Sequence, residues 1–131
     1  MILLDTNALL ILTLRPERLS KAAARAIGRA IKEDGVAIAS VTFWEIALLI
    51  DGRRVTVHGS IETFLSELAR RPRLVVLDLS PEIAAMAFQF PPDFTKDPAD
   101  RIIAATARVH GLAVVTKDQR LQGSALLRTI W

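Results

Sequence analysis

Two acidic residues stand alone in long apolar stretches of this sequence. Asp5 is the only charged residue from Met1 to Leu14, and Glu45 is the only one from Val36 to Ile50. Burying an unpaired carboxylate is costly, so a chain that places acids inside apolar elements must compensate their charge there. We therefore expect a cationic group to meet both carboxylates.

A predicted helix start adds two further acids. Asp97 suits the N-cap, and Asp100 then falls at the third helical position, with Pro98 at the first. Helical spacing places Asp100 on the inward stripe of Ile103 and Ala107. We therefore predict a chemical role for Asp100 and a structural, supporting role for Asp97.

The remaining candidate acids are expected at the carboxyl edge of a predicted sheet. Asp118 follows a short strand that ends at Val115, at the edge where ligands bind in α/β folds, although alone it also fits a solvated turn. Glu45 fits a capping box with Thr42, which would place it at a helix start near the same edge. For Glu45, a structural and a functional role both stay open.

The residue types exclude several kinds of site. The chain has no cysteine, which excludes disulfides, thiolate zinc sites and cysteine nucleophiles. Neither His58 nor His110 has a histidine or an acid at metal-ligand spacing, and no Gly-rich phosphate loop or Gly-x-Ser-x-Gly elbow occurs. Any metal must therefore be held mainly by oxygen.

Composition and length predict one globular domain spanning residues 1–131. Fifty-one per cent of the residues are hydrophobic and the mean hydropathy is +0.33, which excludes intrinsic disorder. No stretch approaches the ~18 uncharged apolar residues of a membrane span, and the start of the sequence lacks a signal-peptide pattern. We expect a cytoplasmic protein that makes no contact with a membrane.

Arginine dominates the basic residues. The formal net charge is +3, and arginine outnumbers lysine thirteen to four. The planar guanidinium binds phosphate in a bidentate manner, which suits a nucleic-acid partner, although ordinary solvated arginines explain this composition about as well. A basic stripe recurs at helical spacing and is either a phosphate-tracking face or the solvated side of an amphipathic helix; it consists of Arg18, Lys21, Arg25, Arg29 and Lys32.

Short apolar runs alternate with longer helical patterns along the chain. Strands are predicted at Ile2–Leu4, Val36–Ala39, Leu74–Leu77 and Ala113–Val115, with a weaker fifth near Leu126–Ile130. Helices are predicted at about 20–34, 42–51, 61–70, 81–88 and 98–110. The strand runs are continuously apolar, which is typical of strands covered on both faces. The pattern predicts an α/β fold, a three-layer α/β/α sandwich with a central parallel sheet of four to five strands.

Four segments together resemble the signature segments of the PIN-domain ribonucleases, and most closely the VapC-type toxins of type II toxin-antitoxin pairs. They are Ile2-Leu3-Leu4-Asp5-Thr6-Asn7, Ser40-Val41-Thr42-Phe43-Trp44-Glu45-Ile46-Ala47, the run from Asp97 to Ala107, and the run from His110 to Asp118. The resemblance covers the whole chain, in order and at the length of the family. One departure is Leu49, at a position four residues after the glutamate where many members carry lysine.

The resemblance implies a catalytic and metal-binding quartet of Asp5, Glu45, Asp100 and Asp118. Thr6 and Asn7 match positions that support the first acid, and Thr116 matches the residue that orients the last. Implied with them are an endoribonuclease dependent on Mg²⁺ or Mn²⁺, structured RNA such as tRNA or rRNA as the substrate, a cognate VapB-type antitoxin and a homodimer. Arg25, Arg29 and Arg101 are then the candidate RNA contacts.

Two alternatives accompany this interpretation. The first is a phosphorylation-switched receiver domain, in which Asp78 would be the phosphate acceptor and Thr116-Lys117 the switch pair. The second is a PIN domain that binds but does not cleave. The first lacks a paired acid after the opening strand, and the intact quartet argues against the second.

Overall fold

The computed structural model describes residues 1–131, which form five strands and seven α-helices, with one or two helices between successive strands. The elements are β1 (Ile2–Leu4), α1 (Thr6–Leu14), α2 (Lys21–Glu33), β2 (Val36–Ala39), α3 (Val41–Asp51), α4 (Ile61–Ala69), β3 (Leu74–Leu77), α5 (Pro81–Ala87), α6 (Pro98–Val109), β4 (Val114–Val115), α7 (Gln119–Gln122) and β5 (Thr129–Ile130), with a 3-10 turn at Pro16–Arg18. No helix combines the length and the apolar character needed to cross a bilayer.

The five strands form one sheet in the order β3-β2-β1-β4-β5, and every neighbouring pair is parallel. The first strand lies at the centre, where Leu3 pairs with Ala37 on one side and Val114 on the other. Because all strands run the same way, the loops that follow β1 and β4 leave the sheet at the same edge. This edge carries Asp5 and Asp118.

Both faces of the sheet are covered, which confirms the predicted three-layer α/β/α sandwich. Successive side chains of a strand point to opposite faces. Leu4 and Ile38 belong to a core that contains residues of α1, α2, α3 and α4, whereas Leu3 and Ala37 pack with Ile103 of α6 on the other face. Continuous apolar runs are needed here because neither face of the central strands contacts water.

Helix α6 is buried on two sides. Ile103 and Ala107 face the sheet, while Ala104 and Ala105 pack against α5 in a second cluster that includes the stacked rings of Phe90 and Phe94. Ala105 lies outside the stripe of Ile103 and Ala107, and the structure buries this face of α6 as well. The start of α6, which carries the acids, is therefore fixed from both sides.

Two helices are absent from the sequence prediction. Helix α1 begins directly after Asp5 and is apolar nearly all round, so it shows no helical period that would distinguish it from a strand or a loop. Helix α7 has only four residues, below the length at which a periodic pattern becomes visible. The last two strands are also shorter than predicted, at Val114–Val115 and Thr129–Ile130.

The predicted capping box of Thr42 and Glu45 is wrong. Helix α3 begins at Val41, so Thr42 is its second residue and Glu45 its fifth. Thr42 is fully buried and its hydroxyl lies 3.2 Å from that of Thr6. Glu45 therefore does not cap the helix, and its carboxylate is available for another role.

The strand order excludes the receiver-domain alternative. Asp78 follows β3 at one edge of the sheet, and Thr116 follows β4, with β2 and β1 between them. Three strand spacings separate the two positions by about 14 Å, too far for a phosphoryl acceptor and its switch residue.

Candidate active site

One cleft at the carboxyl edge of the sheet collects the predicted acids. Its volume is about 380 Å³, and it lies between the ends of β1 and β4 and the helices α3 and α6. The residues that line it are Asp5, Thr6, Asn7, Glu45, Leu48, Leu49, Arg54, Asp97, Asp100 and Asp118. The structure thus brings the four quartet residues together from four distant segments of the chain.

Asp5 is held rigidly at the centre of this edge. It is the N-cap of α1, and the backbone N–H of Ala8 donates a hydrogen bond to its Oδ1 at 2.7 Å. The side chain is only 5% exposed, and burial raises the pKa of this carboxyl, although the neighbouring Thr116 hydroxyl and the Ala8 amide oppose the shift. The cap fixes where the carboxylate points.

Glu45 is positioned by a residue far away in sequence. The hydroxyl of Thr6 donates a hydrogen bond to Glu45 Oε1 and contacts the buried hydroxyl of Thr42 at 3.2 Å. Burial raises the pKa of Glu45, and the negative charges of Asp97 and Asp5 raise it further. Thr6 was expected to support Asp5; the structure shows that its hydroxyl supports Glu45.

Three carboxylates lie close enough to share one cation. One oxygen from each of Glu45, Asp97 and Asp100 falls within 4.8 Å of the other two. Asp97 caps α6, since its Oδ1 accepts from the backbone amides of Ala99 at 2.9 Å and Asp100 at 3.2 Å. Asp97 thus has the structural role that the sequence predicts, and it also belongs to the acidic cluster.

The close carboxylates perturb one another. Burial raises the pKa of Asp100 from 3.8 to about 7, and the charges of Asp97, Glu45 and Asp118 add to the rise. Asp118 differs because its hydrogen bond with Arg120 holds the pKa of its carboxyl below the usual value. Burial and the shared negative charge therefore disfavour full ionisation of the carboxyls in the cleft near neutral pH.

Arg120 pairs with two of these acids. Its Nη2 lies 2.8 Å from Asp118 Oδ2 and 3.2 Å from Asp100 Oδ2. Asp118 is also held at both ends of its turn, because its amide donates to Thr116 Oγ1 at 3.0 Å and its Oδ1 accepts from the Arg120 amide at 2.9 Å. Arg120 contacts neither Asp5 nor Glu45, so the cationic side chain that we expected at those two lone acids is not found there.

The donor set fits a hard divalent cation. Carboxylate oxygens are the protein ligands that Mg²⁺ and Mn²⁺ prefer, and Mg²⁺ takes one or two of them together with water and phosphate oxygens. Glu45, Asp97 and Asp100 supply such oxygens within one small volume, and no histidine lines the cleft. An acidic cluster suited to a divalent metal is thus present.

The predicted arginine contacts are not part of the cleft. Arg25 and Arg29 are exposed on α2 and do not line it. Arg101 is directed toward the loop before α6, where its guanidinium donates to the carbonyl oxygens of Thr95 at 2.6 Å, Pro91 at 2.9 Å and Ala87 at 3.1 Å. Arg101 therefore supports that loop, and we remove it from the candidate RNA contacts.

Two residues of the site escaped the sequence interpretation. Arg54 lines the cleft from the turn after α3 and is the one basic residue in its lining. Arg120 has no predicted role in the sequence analysis, although it contacts Asp118 and Asp100 in the structure. A basic residue two positions after a candidate catalytic acid, at a predicted helix start, is the signal that could have identified it.

The sequence is similar to a known protein family and to a ribonuclease of another organism. Residues 2–125 match the family described as PIN domain. Ribonuclease VapC22 of Mycobacterium tuberculosis (strain ATCC 25618 / H37Rv) is 38% identical over 132 residues, covering 99% of this chain and 98% of that protein.

Solved structures share the fold over almost the full length. VapBC2 from Rickettsia felis, bound to a DNA fragment from the promoter, matches with a TM-score of 0.73 at 16% identity and covers 98% of this chain and 97% of its own. FitAcB from Neisseria gonorrhoeae matches with a TM-score of 0.65 at 27% identity and covers 98% and 96% of the two chains.

Proposed function

The chain belongs to the PIN domain family, and on that basis we propose that it is a metal-dependent endoribonuclease that acts as the toxin of a toxin-antitoxin pair. The observation that carries the proposal is the convergence of Asp5, Glu45, Asp100 and Asp118 in one cleft. Four carboxylates brought close together repel one another and destabilise the fold unless they bind a cation. The name of the relative from Mycobacterium tuberculosis supports RNA as the substrate.

The carboxylates have distinct roles in this mechanism. Glu45, Asp97 and Asp100 would hold the cation, directly or through water, and Asp5 would contribute its carboxylate from the end of β1. A divalent cation supplies charge neutralisation at the phosphate and acidifies water for in-line attack. Asp118 orients the water or completes a second cation position. We assign the cation as Mg²⁺ or Mn²⁺, because all the ligand atoms are carboxylate oxygens.

The residues around the acids position the substrate. Arg54 is exposed at the rim of the cleft, where its guanidinium can bind a phosphate next to the one that is cleaved. Asn7 lines the same cleft and offers an amide to the ribose-phosphate backbone. Thr6 and Thr116 do not contact the substrate; they fix Glu45 and the Asp118 turn. The substrate we propose is a structured RNA such as tRNA or rRNA.

Partners follow from the same family membership. A solved structure from Klebsiella pneumoniae that shares the fold is a toxin-antitoxin complex, and we infer a cognate VapB-type antitoxin and a homodimer for this chain. An antitoxin that covers the cleft would block the RNA. The cytoplasm, where RNA is present, is the compartment that this function requires.

The test is RNA cleavage by the purified chain freed of any partner. We expect cleavage of tRNA or rRNA fragments with Mg²⁺ or Mn²⁺, loss of cleavage in EDTA, and recovery when the metal is restored. Glu45→Gln should abolish cleavage because it removes a ligand charge, whereas Asp78→Asn, an exposed acid outside the cleft, should leave it unchanged. Cleavage that persists in EDTA would contradict the metal mechanism. An intact protein that binds metal but cleaves no RNA would favour the silent binding module.

A further inference from the structure

Arg120 makes an unusual set of contacts for a surface arginine. Its Nε and Nη2 donate to both oxygens of Asp118, at 3.2 and 2.8 Å, and Nη2 also reaches Asp100 Oδ2 at 3.2 Å. Nη1 contacts Thr95 Oγ1 at 3.4 Å. The guanidinium thus bridges two carboxylates that belong to different elements, the start of α6 and the start of α7.

We propose that Arg120 is a built-in counterion of the cleft that exchanges with the divalent cation, so that metal binding displaces its guanidinium from Asp100. This inference rests on the proposed metal-dependent function and identifies a residue that controls metal affinity. Asp100 is the shared partner. It pairs with Arg120 through Oδ2, and it belongs to the acidic cluster with Glu45 and Asp97.

The guanidinium of Arg120 and the divalent cation compete for Asp100 because both are positively charged. A guanidinium and a divalent cation that contact the same carboxylate repel each other at short range, in a cleft where burial weakens screening. Each therefore lowers the affinity of Asp100 for the other, and this coupling is reciprocal. Removing the guanidinium must then strengthen metal binding, even though it removes no metal ligand.

The structure gives Arg120 room to leave. Its side chain is 57% exposed, and besides its contact with the acids it lines a neighbouring cavity of about 480 Å³. Gln119, Ser124 and Asp93 line the same cavity and offer polar groups to a displaced guanidinium. The backbone of α7 need not move, because buried Leu121 anchors that helix.

Other arginines of the chain show what a purely structural arginine looks like here. Arg101 donates to carbonyl oxygens of one loop, Arg128 donates to the Gly111 carbonyl at 2.8 Å, and neither contacts an acid. Arg120 donates to no carbonyl oxygen in the structure and contacts only acids and one hydroxyl. Its bonding therefore depends on the charge of the cleft.

The test is calorimetric titration of Mg²⁺, and separately of Mn²⁺, into the full-length protein without antitoxin. Arg120→Met keeps an unbranched side chain and removes the charge, so the metal-free variant should melt lower while its Kd for the metal falls at least fivefold. Arg128→Met is the matched control, because it changes the net charge equally, while Arg128 forms no ion pair and does not line the cleft. Its Kd should stay within twofold of wild type.

A measurement on the wild-type protein covers the case in which Arg120→Met fails to fold. In nuclear magnetic resonance spectra, the Nε–H signal of Arg120 should shift and exchange faster with water as Mg²⁺ is added, while that of Arg101 should not. An unchanged Arg120 signal in the metal-bound protein overturns the exchange. An unchanged or weaker metal affinity of folded Arg120→Met also overturns it, yet leaves the proposed nuclease intact. If wild type binds no divalent cation, the proposed function itself fails.

Discussion

Replacing Asp100 by asparagine should stabilise the metal-free protein at pH 8 and lose most of this gain at pH 5. The carboxylate lies among Glu45, Asp97 and Asp118, and burial with these charges raises its pKa from 3.8 to about 7. Asparagine keeps the shape of the side chain and removes the charge. The same change removes a metal ligand, so RNA cleavage and the stabilisation by Mg²⁺ should both be lost.

The size of the gain follows from the pKa. The rise to about 7 corresponds to roughly 4 kcal/mol if it were realised in full. The carboxylate is 17% exposed and the variant loses the ion pair with Arg120, so solvent screening and that loss reduce the expected gain to about 1–2 kcal/mol. For a domain of this length, the melting temperature should rise by about 4–7 °C.

The direction of the pH dependence follows from proton binding. Between about pH 4 and pH 7, the folded protein holds a proton on Asp100 that the unfolded chain has released, so the stability of the metal-free protein falls as pH rises through this window. Asp5 and Glu45 act in the same direction, because their pKa values are also raised by burial. Asp118 acts oppositely, and its contribution is lost only as pH falls below about 4.

Thermal unfolding in EDTA at pH 5 and pH 8 measures the effect. Asp78→Asn, an exposed acid outside the cleft, is the control and should change the melting temperature little at either pH. Asp97→Asn would be a poor control, since Asp97 contributes to the raised pKa of Asp100. If Asp100→Asn melts lower than wild type at pH 8 and still cleaves RNA, Asp100 only starts a helix and the assigned quartet is wrong.

Three further predictions concern the neighbours of the acids and the metal. Thr6→Val should lower the free energy of unfolding by about 1–2 kcal/mol, because the Glu45 carboxylate loses its hydroxyl donor; equal stability in urea denaturation would show that this hydrogen bond adds nothing. Arg54→Ala should lower the slope of log K for RNA binding against log salt by about 0.7–0.9. The double variant Arg25→Ala with Arg29→Ala should leave this slope unchanged. The reverse result would show that RNA binds along α2 and not at the cleft. Mg²⁺ affinity measured by calorimetry should fall by up to about tenfold per pH unit below pH 7, because Asp100 must release its proton before it binds the metal. An affinity that is constant from pH 5 to pH 7 would contradict the raised pKa of Asp100.

Short-range sequence patterns predicted the elements of this structure that depend on neighbouring residues. Continuous apolar runs gave the strands, and acids that follow such runs in a parallel sheet meet at one edge, so Asp5 and Asp118 could be placed together before the fold was known. Helix α1 was missed because a segment that is apolar all round has no period. The burial of α6 on two sides depends on α5, which no periodicity in α6 itself reveals.

The contacts inside the site join residues that are far apart in the sequence. The bond from Thr6 to Glu45 joins residues 39 positions apart, and the ion pair of Arg120 with Asp100 spans 20. Neither could be inferred from spacing, because helix and strand periods relate only near neighbours. Sequence reasoning therefore gave the acids but not the threonine and the arginine that hold or balance them.

The central position of β1 has a consequence for the time at which activity can arise during synthesis. Asp5 is made first, yet its strand gains its second neighbour only when β4 has been made, just before Asp118. A chain interrupted before residue 114 has half of the central pairing and lacks one of the four acids, so it cannot contain the complete cleft. A newly made molecule thus becomes capable of cutting RNA only after residue 118 has been made, and fragments that end before that residue should not cleave RNA.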